Sequence, residues 1–385
     1  MQTRLKIRLM NPHHQRIKGF TVLELIVAVA VTAVLTGMLL LISSQVLETQ
    51  SSTNAELERN QVAHFVLDQI QEDLQCALFR NDGNAWMAIS TLNNSGNSGS
   101  WAEPSSTDLA KPPLESLRII ESDWPSDSLE DHEIDPLEQG PFEMSRFGVA
   151  GTWLRFFTQS PELDIRAKNQ GAARAVAYQI VRYGVTDAPE SRKVYHLFRS
   201  DVSAKNTFEA GYNLHPEIGP EGVSGYGDSA SSMSLDPNDP GTPRVPSIII
   251  NPIIGEGDYP PASFSLATNV IDFGIRAYHL QRNTYGTGQL VQIFPCIDIE
   301  SPGNILANEF YASSHPAHHT LDPIFHSFPD VIDVMIRILS QDGARLLESF
   351  EAGEVPITEN FNWWSIAEKH SKVYFRRIKI YGEGI

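Results

Sequence analysis

Residues 18–42 read KGFTVLELIVAVAVTAVLTGMLLLI, and this stretch decides how the chain is organised. From Phe20 to Ile42 the sequence holds 23 consecutive positions with one charged residue, Glu24. A helix of this length rises about 35 Å, which is enough to cross the hydrocarbon core of a bilayer. We therefore predict a single-pass transmembrane helix over residues 20–42.

The segment before this span is basic. Residues 1–19 contain five Lys or Arg residues and no acidic residue, whereas Glu48, Glu56 and Glu58 follow the span. Because basic flanks stay on the cytoplasmic side, we predict a cytoplasmic N-terminus, an inner-membrane anchor and a periplasmic or extracellular C-terminal domain. A secretory signal peptide has a shorter apolar stretch, which is followed by a cleavage site of small residues. Here the apolar stretch is longer, and no such cleavage site follows it. A plain signal anchor remains open.

The junction between the basic segment and the span has its own pattern, Gly19-Phe20-Thr21-Val22-Leu23-Glu24. It resembles the signal of type IV pilins and type II secretion pseudopilins, in which a Gly-Phe bond precedes a Thr, two apolar residues and a Glu. The resemblance implies that residues 1–19 are a leader, that prepilin peptidase cuts between Gly19 and Phe20, and that the new amino group of Phe20 is methylated. Glycine suits such a site because it lets a protease approach the backbone closely.

Glu24 lies inside the predicted span, where a carboxylate is costly and is usually functional. The resemblance implies that it pairs with the N-terminal ammonium of a neighbouring pilin-like subunit during assembly. The alternative is a carboxylate that snorkels to the lipid headgroups. Gly37 also falls in the span, either as a close-packing point between helices or as a glycine of the kind that membrane helices tolerate.

The sequence after the span predicts a second helical part and then a linker. Residues 43–80 contain no Pro or Gly, and Val66, Ile70, Leu74 and Leu78 recur at every fourth position. This spacing predicts an amphipathic helix that continues the membrane helix and packs on a domain. Residues 81–115 are rich in Ser, Asn, Gly and Pro, which favours a linker.

Residues 116–385 contain strand-like runs that begin near residues 117, 153, 175, 194, 270, 331 and 373. Several alternate apolar and polar residues, as a sheet with one covered face does. We predict an α+β fold, in which a long N-terminal helix packs on an antiparallel-rich β-sheet domain. Long insertions are expected at about 121–138 and 201–265. The runs at 175–200, 270–280 and 328–346 resemble strands of J-type minor pseudopilins and related large pilin-like proteins.

Charge and cysteine content limit the function classes. The first 19 residues hold five of the 29 basic residues, so residues 20–385 carry a net charge of −23. Such an acidic body argues against nucleic-acid binding, which needs a cationic surface. Cys76 and Cys296 are the two cysteines, and the sequence leaves open whether they pair or remain free thiols.

Metal and catalytic motifs are weak. His315, His318, His319, His326, Asp322 and Asp330 are the densest group of candidate zinc ligands, but their spacing fits no strong signature. The acidic run at 121–138 offers eight carboxylates to calcium, or is a solvated insertion. There is no GxSxG, P-loop or HExxH motif, so we expect neither an enzyme nor a resident cofactor.

A short helix capped by Asn362 is predicted near the C-terminus. Its Trp363 and Trp364 are expected to pack on the sheet, although exposed tryptophans that bind a sugar or partner are an alternative.

These expectations combine into one functional interpretation. We expect a minor pseudopilin of a type II secretion or type IV pilus-like machine, with prepilin peptidase, other pilin-like subunits and the inner membrane as its partners. The alternative is a membrane-anchored surface adhesin or binding protein that uses a pilin-type export signal, with the long insertions as its recognition surface.

Overall fold

The computed structural model describes residues 21–91, 147, 152–159, 173–184, 193–202, 204, 207–208, 211–215, 265–282, 288–297, 305–307, 309–316, 323–355 and 362–381. The chain divides into two compact units, with the boundary after Glu56. The first unit contains the apolar part of a long helix. The second contains the end of this helix and all of the described strands.

Helix α1 runs from Val22 to Gln75, a length of 54 residues. No proline interrupts it, and Gly37 is its single glycine. Two shorter helices lie near the C-terminus, α2 at Gln341–Glu351 and α3 at Trp363–His370. Ser340 caps α2, since its hydroxyl accepts a hydrogen bond from the backbone N–H of Gly343.

The described residues contain twelve β-strands. In chain order they are β1 Met87–Thr91, β2 Thr152–Thr158, β3 Arg174–Gly184, β4 Lys193–Val202, β5 Ser265–Thr268, β6 Val270–Arg282, β7 Gly288–Phe294, β8 Cys296–Ile297, β9 Ile305–Ala307, β10 Glu309–Ala312, β11 Val331–Leu339 and β12 Ser371–Lys379. A 3₁₀ turn at Pro323–His326 precedes β11.

The strands form two main sheets in which every neighbouring pair is antiparallel. The six-stranded sheet has the order β10-β1-β2-β3-β4-β5, and the four-stranded sheet has the order β12-β11-β6-β7. Strands β8 and β9 form a separate pair. Antiparallel order suits strands joined by turns, whereas parallel strands need long crossovers.

The chain passes from the six-stranded to the four-stranded sheet at Asn269. This residue has a φ of +61°, a left-handed conformation that Asn adopts more readily than most residues. Its N–H donates to the carbonyl of Tyr195 in β4, and its carbonyl accepts from the N–H of Leu339 in β11. Asn269 therefore lies between β5 and β6 and is bonded to both sheets.

The second unit has one apolar core to which both sheets and α1 contribute. The buried side chains of α1 recur at spacings of three and four, which places them on one face of the helix. The apolar ones are Ala63, Val66, Leu67, Ile70 and Leu74. Both sheets and the two C-terminal helices add to the cluster, for example Phe156 from β2, Ile336 from β11 and Trp363 from α3.

The predicted α+β class is confirmed. Strands lie over six of the seven strand-like runs, and the run at 117 is outside the described residues. The predicted linker is wrong where it covers β1, because Ala85 to Ile89 are buried and the strand, Met87–Thr91, pairs with β2 and β10. The described start of the 201–265 insertion also reaches the core, where Thr207 and Leu214 are buried.

Candidate assembly site

The apolar part of α1, Val22–Leu47, is the one helix in the described ranges that is long and apolar enough to span a membrane. Its mean hydropathy is 2.8, and none of its most apolar window is buried inside the protein. At 1.5 Å per residue, its 26 residues extend about 39 Å, more than the roughly 30 Å of a hydrocarbon core. An apolar helix with this exposure needs lipid or other helices around it.

Three hydroxyl groups within this helix are satisfied by its own backbone. The hydroxyls of Thr32, Thr36 and Ser44 donate to the carbonyls of residues three or four positions earlier, at 2.8–2.9 Å. Such bonds remove the cost of a bare hydroxyl in hydrocarbon. A side chain at Gly37 would meet no atom of the protein within 4 Å, so this position is open to a neighbouring helix.

The start of α1 is closed by a reciprocal pair, Thr21 and Glu24. The Thr21 hydroxyl accepts from the N–H of Glu24 at 3.2 Å. In return, Glu24 Oε2 accepts from the backbone N–H of Thr21 at 2.9 Å and from its hydroxyl at 3.0 Å. This is the capping box that a Thr followed three residues later by a Glu forms at a helix N-terminus. Glu24 therefore caps the first turn of the helix, a role that its spacing from Thr21 would have revealed.

The capping box uses half of the Glu24 carboxylate. Both hydrogen bonds reach Oε2, and Oε1 has no partner among the residues that the structure describes. Gly19 and Phe20, between which cleavage is predicted, lie outside the described residues.

The other end of α1 is fixed to the six-stranded sheet by hydrogen bonds. The Thr158 hydroxyl donates to the carbonyl of Asp73 at 2.8 Å, and the N–H of Gln159 donates to the carbonyl of Cys76 at 3.1 Å. The last carbonyls of a helix accept no hydrogen bond from within the helix. Here Thr158 and Gln159, at the end of strand β2, donate these bonds. Leu78 then pairs with Phe157 through an N–H to carbonyl bond of 2.8 Å.

A buried ion pair reinforces this attachment. Asp73 is 3% exposed, and its side chain accepts two bonds from the Arg199 guanidinium, at 2.7 and 2.9 Å, and one from the Tyr178 hydroxyl. Burial and the neighbouring Asp73 charge raise the pKa of Tyr178 well above its usual value, so the phenol stays a donor. Burial alone would lower the pKa of Arg199, but the hydrogen bonds that it donates to Asp73 and the charges of its neighbours together raise the pKa.

Strand β12 holds the middle of the packed part of α1. The Tyr374 hydroxyl donates to the Asn60 side chain at 2.7 Å. Arg376 pairs with Asp68 and also donates to Gln71 Oε1 at 3.1 Å. The packed part of α1 is thus bound to both sheets, by side chains as well as by its apolar face.

The N-terminal sequence has a match among known families. Residues 14–40 match the family described as the prokaryotic N-terminal methylation motif. This segment is a prepilin-type methylation motif. It contains the Gly19-Phe20 bond, Thr21, Glu24 and most of the apolar helix. The motif and the helix together support a membrane-anchored, type IV pilin-like protein that prepilin peptidase processes.

No curated protein and no solved structure matches the chain. The methylation motif is therefore the part of the chain that the comparisons relate to known proteins, and it covers residues 14–40.

The structure describes some of the candidate metal ligands and not others. His318, His319 and Asp322 lie outside the described residues, as does the acidic run at 121–138. His326 is buried with Nδ1 3.3 Å from the Tyr311 carbonyl, while His315 is exposed. Asp330 Oδ2 accepts from the N–H of Leu280 at 2.7 Å and lies 3.0 Å from His279 Nδ1. The described residues contain no group of three or more candidate ligands.

The structure also shows the surroundings of Cys76 and of the two tryptophans near the C-terminus, Trp363 and Trp364. Cys76 is a free thiol, and burial, followed by the charges of Glu72 and Asp73, raises its pKa. The side chain of Cys296 is outside the described residues. Trp363 and Trp364 are buried at 2% and 5% exposure, and Asn362 caps α3, as predicted from the sequence.

Proposed function

We propose that the chain is a minor pseudopilin-like subunit of a type II secretion or type IV pilus-like envelope machine. Prepilin peptidase processes it between Gly19 and Phe20, and it assembles through its N-terminal helix. The methylation motif at residues 14–40 is the observation that carries this proposal, because it joins the cleavage bond to the membrane-spanning helix.

The proposed role is mechanical and not catalytic, with no resident cofactor. The basic flank of residues 1–19 supports an N-terminus in the cytoplasm and a body on the far side of the inner membrane. The bonds that Asp73, Asp68 and Asn60 accept from the two sheets support a role in which movement of the packed part of the helix moves the domain.

The geometry at Glu24 supports a double role in assembly. Oε2 closes the capping box of its own helix, whereas Oε1 remains for the methylated amino group of a neighbouring subunit. A carboxylate and an ammonium attract strongly in a medium of low dielectric, although the cost of desolvating both offsets much of this gain.

Two substitutions at Glu24 separate these roles. Glu24→Gln keeps a side-chain oxygen for the capping box but removes the charge, since Gln serves at this position of the box as well as Glu. Glu24→Val removes both. If the charge recruits the neighbour, both variants insert and are cut, and crosslinking to other pilin-like subunits falls by about 10- to 100-fold, a loss of a few kcal/mol.

Thr32→Val is the matched control, because it removes a polar group from the same helix without touching the capping box. It should crosslink as the natural chain does. If Glu24→Gln is inserted, cut and crosslinked at the natural level, the charge does not recruit a neighbour. A membrane-anchored adhesin that uses a pilin-type export signal then becomes the better account.

A further inference from the structure

Strand β12 is the longest edge strand in the described part of the protein. It ends the four-stranded sheet and has nine residues, whereas the edge strands β5 and β10 have four each and β7 has seven. Long open edges invite pairing with another chain, and proteins usually keep them short or cover them.

The backbone groups that face this open edge can be identified from the register. The pairing of β11 with β12 is uninterrupted from Val331↔Lys379 to Leu339↔Ser371. It is flanked by bonds from the Ser340 N–H to the His370 carbonyl and from the Ile380 N–H to the Asp330 carbonyl. Even-numbered residues therefore bond to β11, and odd-numbered ones point their N–H and carbonyl groups outward.

The side chains along the edge are basic and aromatic. The nine residues SKVYFRRIK contain four cations and no acidic residue, in a body whose net charge is −23. Arg376 and Arg377 are paired with Asp68 and Asp333. Lys379 is exposed and lies 5.4 Å from the ring centroid of Tyr381, and Phe375 is 53% exposed.

Prevention of aggregation is a common role of cations on an edge strand, and this simpler explanation accounts for Lys379. It does not account for Phe375, because a large exposed ring at the centre of an open edge favours pairing. Pairing of β12 with β12 of a second copy is disfavoured, since it would bring two cationic strands together.

We propose that the free edge of β12 docks an extended, acidic segment of a partner protein, which adds to the four-stranded sheet as a fifth strand. The backbone groups of Val373, Phe375 and Arg377 form the hydrogen bonds. An apolar residue of the partner packs on Phe375, and an acidic residue on the same face of its strand pairs with Lys379. Strand addition of this kind takes affinity from the main chain and specificity from alternate side chains.

The test uses the full chain in an uncharged detergent and a labelled ten-residue peptide of alternating Thr and Glu in which the central Glu is Val. Binding is followed by fluorescence anisotropy. Val373→Pro removes an outward N–H without removing a bond to β11, and we expect it to weaken binding about tenfold. Val373→Thr is the matched control and should bind as the natural chain does. A peptide with Lys in place of each Glu should not bind.

Phe375→Glu provides a second test that leaves the backbone unchanged. Its carboxylate repels the peptide at an exposed position, so binding should be lost while circular dichroism stays the same. The proposal is overturned if the acidic peptide does not bind, or if Val373→Pro and Phe375→Glu, both folded, bind it as tightly as the natural chain. Self-association of the natural chain that Val373→Pro abolishes would instead make a second copy the occupant. None of these outcomes involves the N-terminal motif, so the proposed assembly role is tested separately.

Discussion

At the scale of single residues, Asp73 is where a charge fixes α1 to the six-stranded sheet. Its carboxylate is buried and holds the Arg199 guanidinium by two bonds. Removing one partner of a buried ion pair costs about 3–5 kcal/mol when the other charge is left unpaired, but Arg199 also pairs with Asp201 at 3.2 Å. We therefore expect Asp73→Asn to lower the free energy of unfolding by a smaller amount, about 1–3 kcal/mol, measured by urea titration of the full chain in detergent with tryptophan fluorescence.

Asp342→Asn is the matched control, because the Asp342 side chain is 92% exposed and lies 4.0 Å from Arg345. Exposed pairs of this kind contribute little, so the free energy of unfolding should stay within about 0.5 kcal/mol. Equal effects of the two substitutions would show that the Asp73 pair does not hold the helix.

His196 gives the second prediction at this scale, a dependence of stability on pH. Burial lowers the pKa of His196 from 6.5 to about 4, and its Nδ1 lies 2.7 Å from the Ser265 hydroxyl. As the pH falls from 6.5 to 4, the unfolded chain takes up a proton that the folded chain does not. Stability is therefore lost across this window, by up to about 3 kcal/mol, and is unaffected above it.

The measurement compares the free energy of unfolding of His196→Gln with that of the natural chain. The contributions of carboxylates that titrate near pH 4 then cancel in the difference. The difference in free energy of unfolding should change between pH 6.5 and 4 and be constant above pH 7. A difference for His196→Gln that does not vary with pH would contradict the assignment.

At the scale of elements, α1 combines an apolar membrane span with a face that packs on a domain. A chain that starts at Ala55 loses the span but keeps Ala63, Val66, Leu67, Ile70 and Leu74, which are buried. We expect it to be soluble, monomeric and cooperative in unfolding, because its core is complete. Size-exclusion chromatography and urea titration measure these properties.

A chain that starts at Ala77 is the control, since it lacks the whole helical face and exposes the apolar surface beneath it. It should aggregate. If it folds as well as the chain from Ala55, α1 does not complete the core as the structure indicates.

The strands that the sequence predicted share a physical feature, which is a long run rich in apolar residues. Strands β3, β6 and β11 have 9–13 residues, and their apolar positions are repeated often enough to be recognised. Strand β1 has only five residues and lies beside a Ser- and Asn-rich segment. The composition of that segment predicted a linker, and the apolar run of β1 was too short to indicate a strand. Helix α2 was also missed, although Ser340 followed by Leu347 and Phe350 marks a capped helix with one apolar face.

At the scale of the whole molecule, the methylation motif could be recognised from the sequence because its residues are contiguous. Gly19, Phe20 and Glu24 lie within six positions, so the motif is recognised without knowledge of the fold. The Asp73 ion pair joins residues 126 positions apart, and the open edge of β12 depends on the strand order. Features of that kind arise from tertiary packing, which periodicity along the chain does not encode.

The central claim is that this chain is processed as a prepilin, and mass spectrometry of its N-terminus tests it most directly. The full chain is expressed in cells that possess a prepilin peptidase, extracted from membranes and digested, with Gly19→Val as a control that should block cleavage. We predict an N-terminal peptide that begins at Phe20 and carries one methyl group, and its absence from the control. An intact Met1 terminus in the natural chain, in cells that process another prepilin, would contradict the account.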